Sequence, residues 1–456
     1  MSALASDPPS ILLLGTDRYV LRACEQRGVD AVVLCGPSSW DNGNVPVPKR
    51  FTQIFTEDLT STEATLSALH RAGLGGHRFD AVQTSDEWAV VNAAVLAQLI
   101  GARGPDPLTA LRFRDKRLQK EVAAAAGIPV ARTAVIEDVH QLARSSPGSP
   151  GPDELLAPLG GFERAVAKPI AGSSTSHTFR LGDPADLLKV AARMRAEGSP
   201  RRTFLVEEFV EGDEWVVDGF VFDGELLFHS VGRYGEPCLT SISEQTPLWM
   251  YRFDPDTDAE VCQRAGDTAR AVLSALGMRD GVFHMELFHD PESGRLALGE
   301  VAARRGGVLI QEEVAAKFNV SLGDSALMCA LGIRPQIDVR TRPGTVGAAH
   351  LPGASGTLVS CPQADEICEL PGVEFARIIK PYGSRLAAAS STGHRLGDIL
   401  VTAPSPDELI ARIEEARKWF SDRVVVAPDG AGLRELRDWQ HRNWPGTEPR
   451  ESSYTP

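Results

Sequence analysis

Two acidic residues, Glu286 and Glu300, interrupt short apolar segments on either side of a turn-forming run at 290–294. This pattern predicts a β-hairpin, and the two acids are placed symmetrically about Ser293, so they face each other across it. Like charges directly opposite each other destabilise a sheet, and the apolar surroundings add a desolvation cost. A cation between them removes the repulsion, and oxygen ligands without histidine or thiol favour Mg²⁺ shared with substrate phosphates. The alternative interpretation is a solvated hairpin with outward-facing acids.

Two lysines offer positive partners for such phosphates. Lys168 lies in a predicted strand, and Lys116 opens a predicted helix. Small and hydroxyl-bearing residues follow the strand: Gly172, Ser173, Ser174, Thr175 and Ser176. Small residues let backbone N–H groups converge on an anion, and hydroxyl groups add donors, although the GxxxxGK[ST] pattern is absent. Each lysine alone is more commonly a surface charge, so the interpretation depends on the combination.

A third group of acids lies in the segment FLVEEFVEGDEW. Glu207 and Glu208 end one predicted strand, the chain turns at Gly212, and Glu214 begins the next strand. Carboxylates beside such a turn can accept hydrogen bonds from an exocyclic amine or from ribose hydroxyl groups. The alternative interpretation is a charged surface turn.

The elements that position these residues follow from the hydrophobic pattern. Residues 1 to about 105 repeat a strand–turn–helix pattern, which predicts an open parallel α/β domain. Gly15 is the only glycine near the first turn, so the GxGxxG pattern of a dinucleotide site is absent. Residues 108–127 predict one helix, and 145–152 a surface loop. Residues 340–427 predict further strands and one helix.

The bulk composition excludes several functions. The 456-residue chain has a formal net charge of −14, and no dense Lys/Arg run offsets it, so no nucleic-acid partner is expected. The seven cysteines show no CxxC spacing, which predicts reduced thiols in a cytoplasmic protein without a zinc site. The amino terminus lacks the basic region of a signal peptide, and no apolar run is long enough to span a bilayer, so no membrane association is expected.

These features occur in the order seen in one known superfamily. Lys116, then Lys168 with its small-residue loop, then VEEFVEGDEW, then HMELF…GEVAARRGG resemble the ATP-grasp superfamily. Within it the chain looks most like the carboxylate–amine ligases, and among these like the bacterial L-amino-acid ligases that make dipeptides. The resemblance implies an α/β and α+β chain with the ATP-grasp fold. The implied domains are an amino-terminal open parallel α/β domain at 1–108, an ATP-grasp core at 109–339 with a lid at about 160–232, a β-rich carboxy-terminal subdomain at 340–430 and a tail at 431–456.

The resemblance also implies roles for single residues. The implied ATP-binding residues are Lys116, Lys168, Ser173, Ser174, Thr175, Glu207, Glu208, Phe209, Val210 and Glu214. Glu286 and Glu300 match the carboxylates that hold one or two Mg²⁺ ions, with Mn²⁺ as a possible substitute. Arg304 matches the arginine that stabilises the acyl-transfer centre. The implied substrate-binding residues are Glu87, Arg305, Gly306 and Gly307, with Glu87 at a substrate amino group.

Two positions depart from the pattern of these relatives. Ala302 stands where many of them have asparagine, so the metal ions are bridged differently or take a ligand from elsewhere. The loop after Lys168 is serine-rich where relatives have more glycine. His350, Lys380 and His394 are further candidates for the cleft, although a structural role is favoured for each.

The implied reaction is ATP-dependent. A small-molecule carboxylate, such as an amino acid, is activated as an acylphosphate and joined to an amine, giving ADP and phosphate, and the relatives suggest a homodimer. Two alternatives stay open. In the first, the acceptor is a carrier-protein thiol or another metabolite amine. In the second, the chain is a nucleotide-binding regulator without catalysis.

Overall fold

The computed structural model describes residues 8–36, 46–142, 150–353, 355–386 and 395–428, together with scattered positions from 430 to 442. His394, most of the predicted surface loop at 145–152 and most of the predicted tail lie outside the described residues. No helix in the described part of the chain is long and apolar enough to cross a membrane.

The first sheet is parallel, with the strand order β3-β2-β1-β4. Its strands are β1 (Ser10–Leu14), β2 (Asp30–Cys35), β3 (Thr52–Phe55) and β4 (Ala81–Thr84). The helices beside it are α1 (Arg18–Arg27), α2 (Thr62–Arg71) and α3 (Val90–Ile100). Apolar clusters cover both faces of this sheet, which explains the nearly continuous apolar runs in its strands.

Two helices, α4 (Pro107–Arg114) and α5 (Lys116–Ala125), replace the single helix predicted at 108–127. That prediction was wrong because Asp115 has extended backbone, and its carboxylate accepts hydrogen bonds from the N–H groups of Arg117 and Leu118. Asp115 therefore ends α4 and caps α5. The cap puts Lys116 in the first turn of α5, with Lys120 one turn later on the same face.

The second sheet is antiparallel, with the order β5-β8-β6-β7. Its strands are β5 (Thr133–Ile136), β6 (Ala165–Pro169), β7 (Phe179–Leu181) and β8 (Phe204–Glu208). The helices of this region are α6 (Pro152–Leu155) and α7 (Asp186–Ala196). This sheet carries Lys168 on β6 and Glu207 on β8.

The largest sheet has eight antiparallel strands in the order β13-β12-β9-β10-β11-β14-β18-β16. Its strands are β9 (Asp213–Phe222), β10 (Glu225–Tyr234), β11 (Trp249–Arg252), β12 (Gly281–His289), β13 (Leu296–Ala302), β14 (Thr345–Leu351), β16 (Val373–Ile378) and β18 (Gly397–Ala403). The pairing of β11 with β14 makes this sheet continuous across the predicted boundary at 339–340. The domain boundaries themselves stay a prediction.

The remaining elements pack around this sheet. A small sheet has the order β17-β15-β19. Its strands are β15 (Gly356–Ser360), β17 (Arg385–Leu386) and β19 (Val425–Ala427). The helices are α8 (Cys238–Glu244), α9 (Ala259–Leu276), α10 (Ile310–Phe318), α11 (Leu322–Ala330), α12 (Ala364–Cys368) and α13 (Pro406–Ser421).

A buried ionic cluster ties the large sheet to α10. Arg252 on β11 lies 2.8 Å from Asp218 on β9 and 2.9 Å from Glu313 on α10, and all three side chains have no exposed surface. Burial lowers the pKa of Arg252, but the two carboxylates outweigh it and raise the pKa. The charges therefore depend on one another, because removing one member leaves the others buried without compensation.

We predict that Arg252→Met lowers the free energy of unfolding by about 3–5 kcal/mol, because the buried carboxylates of Asp218 and Glu313 lose the guanidinium that both contact. Urea unfolding measures this change. The control is Arg270→Met, since Arg270 is 55% exposed and pairs with Asp267 on its own helix, so a change of at most about 1 kcal/mol is expected. An Arg252 variant as stable as the control contradicts the interpretation.

Candidate active site

A cavity of about 640 Å³ lies between the second sheet and the large sheet. It also reaches the start of α1 and the segment after β16. The predicted site residues that line it are Lys116, Lys168, Ser173, Ser174, Thr175, Glu207, Glu208, Phe209, Val210, Glu214, Glu286, Glu300, Arg304, Arg305 and Gly307. Two predicted residues, Glu87 and Gly306, are not among its lining residues. One cavity therefore brings together most of the residues that sequence reasoning selected.

The two acids of the hairpin face each other. Glu286 on β12 pairs directly with Glu300 on β13, as the sequence predicts, and a register shift follows at once between Glu286 and Leu287. The Nζ atom of Lys116 lies 3.0 Å from a carboxylate oxygen of Glu300. Burial raises the pKa of Glu300, but Lys116 and Lys168 outweigh this effect and lower it to about 2. Glu300 is therefore ionised at neutral pH.

Glu286 has a second acid, Glu214, and a histidine, His284, near it. Glu214 is 4% exposed, and its burial and the charge of Glu286 raise its pKa to about 8. The backbone N–H of Cys238 donates to Glu214. His284 lies between Asp218, at 2.8 Å, and Glu286, at 3.7 Å. Although burial lowers the pKa of His284, these carboxylates raise it to about 9, so the imidazolium is the cation next to Glu286.

The lysines form a group around Glu207. Its carboxylate oxygens lie 3.1 Å from Lys168 and 3.5 Å from Lys120. Burial lowers the pKa of Lys120 to about 8, against the attraction of Glu207. Sequence reasoning missed Lys120, although its position four residues after Lys116 on one helix gave the signal. Glu208, in contrast, pairs with Arg132 at 2.7 Å.

The small-residue loop has unusual backbone conformations. Ser174 and Thr175 have φ angles of 53° and 58°, in the left-handed region where residues other than glycine are uncommon. Both residues line the cavity beside Lys168. Backbone strain of this kind is frequently found at ligand-binding segments. The start of the loop is held by Arg114, which donates to the carbonyl groups of Ala171 and Gly172 at 2.8 and 2.9 Å.

Arg304 lines the same cavity and helps to lower the pKa of Glu300. It is 7% exposed, and its Nε donates to Glu87 at 2.5 Å. Arg114 approaches the second oxygen of Glu87 at 3.6 Å. The structure therefore places Glu87 beside Arg304 and away from the cavity wall, and its contact with a substrate amino group stays a prediction. Gly306 packs closely: an added Cβ would lie 2.6 Å from His284 Nδ1.

Two segments of the chain match known protein families. Residues 164–313 match the ATP-grasp domain, and residues 350–420 match the L-amino acid ligase C-terminal domain 2. The L-arginine-specific L-amino acid ligase of Bacillus subtilis is 25% identical over 355 residues, which cover 77% of this chain and 81% of that protein. The chain is an ATP-grasp carboxylate–amine ligase. Its ATP-grasp domain makes ATP the nucleotide substrate, and its other substrates are small molecules.

Two solved structures resemble this ligase along most of its length. The L-amino acid ligase from Bacillus licheniformis gives a TM-score of 0.70 at 18% identity, covering 93% of this chain and all of that one. The biotin carboxylase domain of a Hydrogenobacter thermophilus 2-oxoglutarate carboxylase, a dimer crystallised with MgADP and bicarbonate, gives 0.63 at 15% identity, covering 91% and 90%. At such identities the likeness shows the fold alone, and it confirms the predicted ATP-grasp fold.

The far end of the ligase cavity is basic. Arg377, Lys380 and Arg395 line it, and only Lys380 was considered from the sequence. Arg377 lies 2.7 Å from Asp398, and Arg395 pairs with the same carboxylate. His350 is buried behind this cluster and does not line the cavity, and burial holds its pKa well below the ordinary value. The cluster therefore presents positive charge to a substrate.

We predict that kcat/KM of the ligase for ATP falls as the pH rises above about 8, the pKa of Lys120. Below this pKa the ammonium group is charged and attracts phosphate; above it the charge is lost. Steady-state assays over pH 6.5–10 measure the profile.

Lys120→Arg keeps its charge to higher pH, so the fall should move to higher pH in this variant. Lys189→Arg, at a position where the side chain is 83% exposed, should leave the profile unchanged. A Lys120→Arg profile that coincides with the wild type contradicts the assignment.

Proposed function

We propose that the ligase activates an amino acid as an acylphosphate and joins it to an amine, foremost a second amino acid. The observation that carries the proposal is a single cavity lined by three lysines, by the facing carboxylates of Glu286 and Glu300, and by Arg304. The basic far end, with Arg377 and Lys380, suits substrates that bear a carboxylate.

The residues present fit a Mg²⁺ ion that arrives with the nucleotide. Among the described residues, no group of three His, Cys, Asp or Glu side chains is arranged to hold a metal ion. Mg²⁺ is usually bound by one or two carboxylates together with substrate phosphates and water. Glu286 and Glu300 supply those two carboxylates, and Ala302, 6% exposed beside them, adds no ligand. When bound, Mg²⁺ neutralises phosphate charge and polarises the γ-phosphorus.

The nucleotide lies along the line from β8 to the carboxylate pair. The hinge residues Phe209 and Val210 border the cavity and receive the adenine. Lys168, Lys120 and Lys116 exchange their contacts with Glu207 and Glu300 for phosphate oxygens. The ammonium groups keep an anionic partner throughout this exchange.

The reaction then has two steps. A carboxylate oxygen of the first substrate attacks the γ-phosphorus, the bond from this phosphorus to the β,γ-bridging oxygen breaks, and ADP leaves. The amine nitrogen of the second substrate attacks the acylphosphate carbonyl carbon, phosphate leaves with the bonding electrons, and the nitrogen loses a proton. Arg304 stabilises the negative charge that develops on the carbonyl oxygen. The chain itself contributes position and electrostatics, as is usual in phosphoryl transfer.

The proposal includes domain boundaries at 108 and 339, a homodimer, and one or two metal ions, as the resemblance implies. A carrier-protein thiol or another metabolite amine as the acceptor gives the same first step. A phosphate-release screen over pairs of amino acids and common amines, with mass spectrometry of products, identifies the acceptor. A chain that releases no phosphate with any pair, and none with a carrier-protein thiol, is a nucleotide-binding regulator.

We predict that Glu300→Ala lowers kcat by more than about 100-fold, because charge stabilisation by the metal is worth several kcal/mol. Phosphate release measures the loss, and circular dichroism checks the fold. Glu292→Ala is the matched control, since Glu292 is an exposed acid on the turn of the same hairpin. Wild-type turnover in the Glu300 variant contradicts the metal assignment.

We predict that Arg304→Ala lowers kcat by about 10²–10³ and leaves KM for ATP nearly unchanged, because the guanidinium acts on charge that develops only in the transition state. Arg279→Ala, at a 71% exposed side chain, is the control for loss of a cation. A large rise in KM for ATP with unchanged kcat would show instead that Arg304 binds nucleotide.

A further inference from the structure

The contacts of Glu87 extend in two directions. Glu87 follows β4 of the amino-terminal domain, whereas Arg304 follows β13 of the large sheet. One carboxylate oxygen of Glu87 accepts from Arg304 Nε at 2.5 Å, and the other lies 3.6 Å from Arg114 Nη1. All three side chains are nearly buried, with exposed fractions of 5–7%. A buried carboxylate in this position holds Arg304 by a charge-assisted hydrogen bond and attracts Arg114 electrostatically.

Arg114 connects Glu87 to the small-residue loop that follows Lys168. It donates to the carbonyl groups of Ala171 and Gly172 at 2.8 and 2.9 Å, directly before the loop of small residues. Its guanidinium also stacks over Trp88, at 4.4 Å from the ring centroid. Arg201, from the segment before β8, stacks on the same indole at 4.5 Å. The residue next to Glu87 is therefore held on both sides by cations.

We propose that Glu87 is a positioning residue. Its carboxylate orients the guanidinium of Arg304 towards the acyl-transfer centre and, through Arg114, fixes this centre relative to the loop that binds phosphate. The inference rests on the proposed role of Arg304. It differs from the role that the resemblance implies, in which Glu87 binds a substrate amino group.

The contacts of Glu87 favour this role. Two guanidinium groups already approach the oxygens of its carboxylate. A substrate ammonium group would have to compete for the oxygens of Glu87, because Arg304 contacts one of them and Arg114 approaches the other. It would also have to reach a carboxylate that is 5% exposed and absent from the cavity wall. We therefore expect the carboxylate of Glu87 to keep its arginine partners when the substrate binds.

The test is a double-mutant cycle on kcat for phosphate release, with Glu87→Gln, Arg304→Ala and their combination. Glu87→Gln should lower kcat by about 10–100-fold, the usual effect of removing a group that orients another, with KM for ATP and for the amino acid within about twofold of wild type. In the Arg304→Ala background the same substitution should change kcat by less than about twofold, because residues that act as a unit are not additive.

Three controls make the cycle decisive. Glu87→Asp keeps the charge and should give a kcat between those of the wild type and Glu87→Gln, so the cycle can be repeated with it if Glu87→Gln fails to fold. Glu63→Gln, at an exposed acid on α2 of the same domain, should be neutral. An acid that lacks the amino group of the best substrate should lose the same factor in kcat with Glu87→Gln.

Each remaining outcome overturns the proposal. A rise in KM for the amino acid, with kcat unchanged and with no effect on the deamino acid, shows that Glu87 binds the substrate amino group. Equal losses in the two Arg304 backgrounds show that Glu87 acts independently of Arg304. If Arg304→Ala itself retains wild-type kcat, the proposed role of Arg304 has failed, and the result is distinct from a failure at Glu87 alone.

Discussion

Two carboxylates that face each other inside a sheet set the electrostatics of this molecule. Two like charges about 5 Å apart repel by about 3 kcal/mol at an effective dielectric constant of about 20. The chain offsets this repulsion at Glu300 with Lys116 and Lys168, while Glu286 has His284 beside it. The pair is stable only with cations around it, and this requirement is the electrostatic basis of the proposed metal site.

The fold brings these cations from separate parts of the chain. The cap at Asp115 starts α5 so that Lys116 and Lys120 share one face, and β6 of the second sheet delivers Lys168. Glu207, on the neighbouring strand β8, holds two of the lysines in place without a ligand. In the proposed function, phosphate oxygens take over the contacts that these lysines make with Glu207 and Glu300.

The features that could be predicted from the sequence are those set by the spacing of neighbouring residues along the chain. The opposition of Glu286 and Glu300 followed from the two-residue period of a strand and their symmetry about one turn. The break at Asp115 was missed, because apolar periodicity continues across it and only the cap reveals it. The contact of Glu87 with Arg304 joins residues 217 positions apart, and no local pattern encodes it. The basic far end was largely missed for the same reason, since Arg377 and Arg395 meet through Asp398 only in the folded sheet.

The central claim is that Glu286 and Glu300 hold the metal ion of the bound nucleotide. A crystal structure with Mg²⁺ and a non-hydrolysable ATP analogue tests it most directly. The account predicts an oxygen of each carboxylate about 2.0–2.1 Å from Mg²⁺, with phosphate oxygens completing the coordination and Lys116 turned from Glu300 to phosphate. A triphosphate bound elsewhere, or both carboxylates still paired with side chains of the protein and no metal between them, would contradict it.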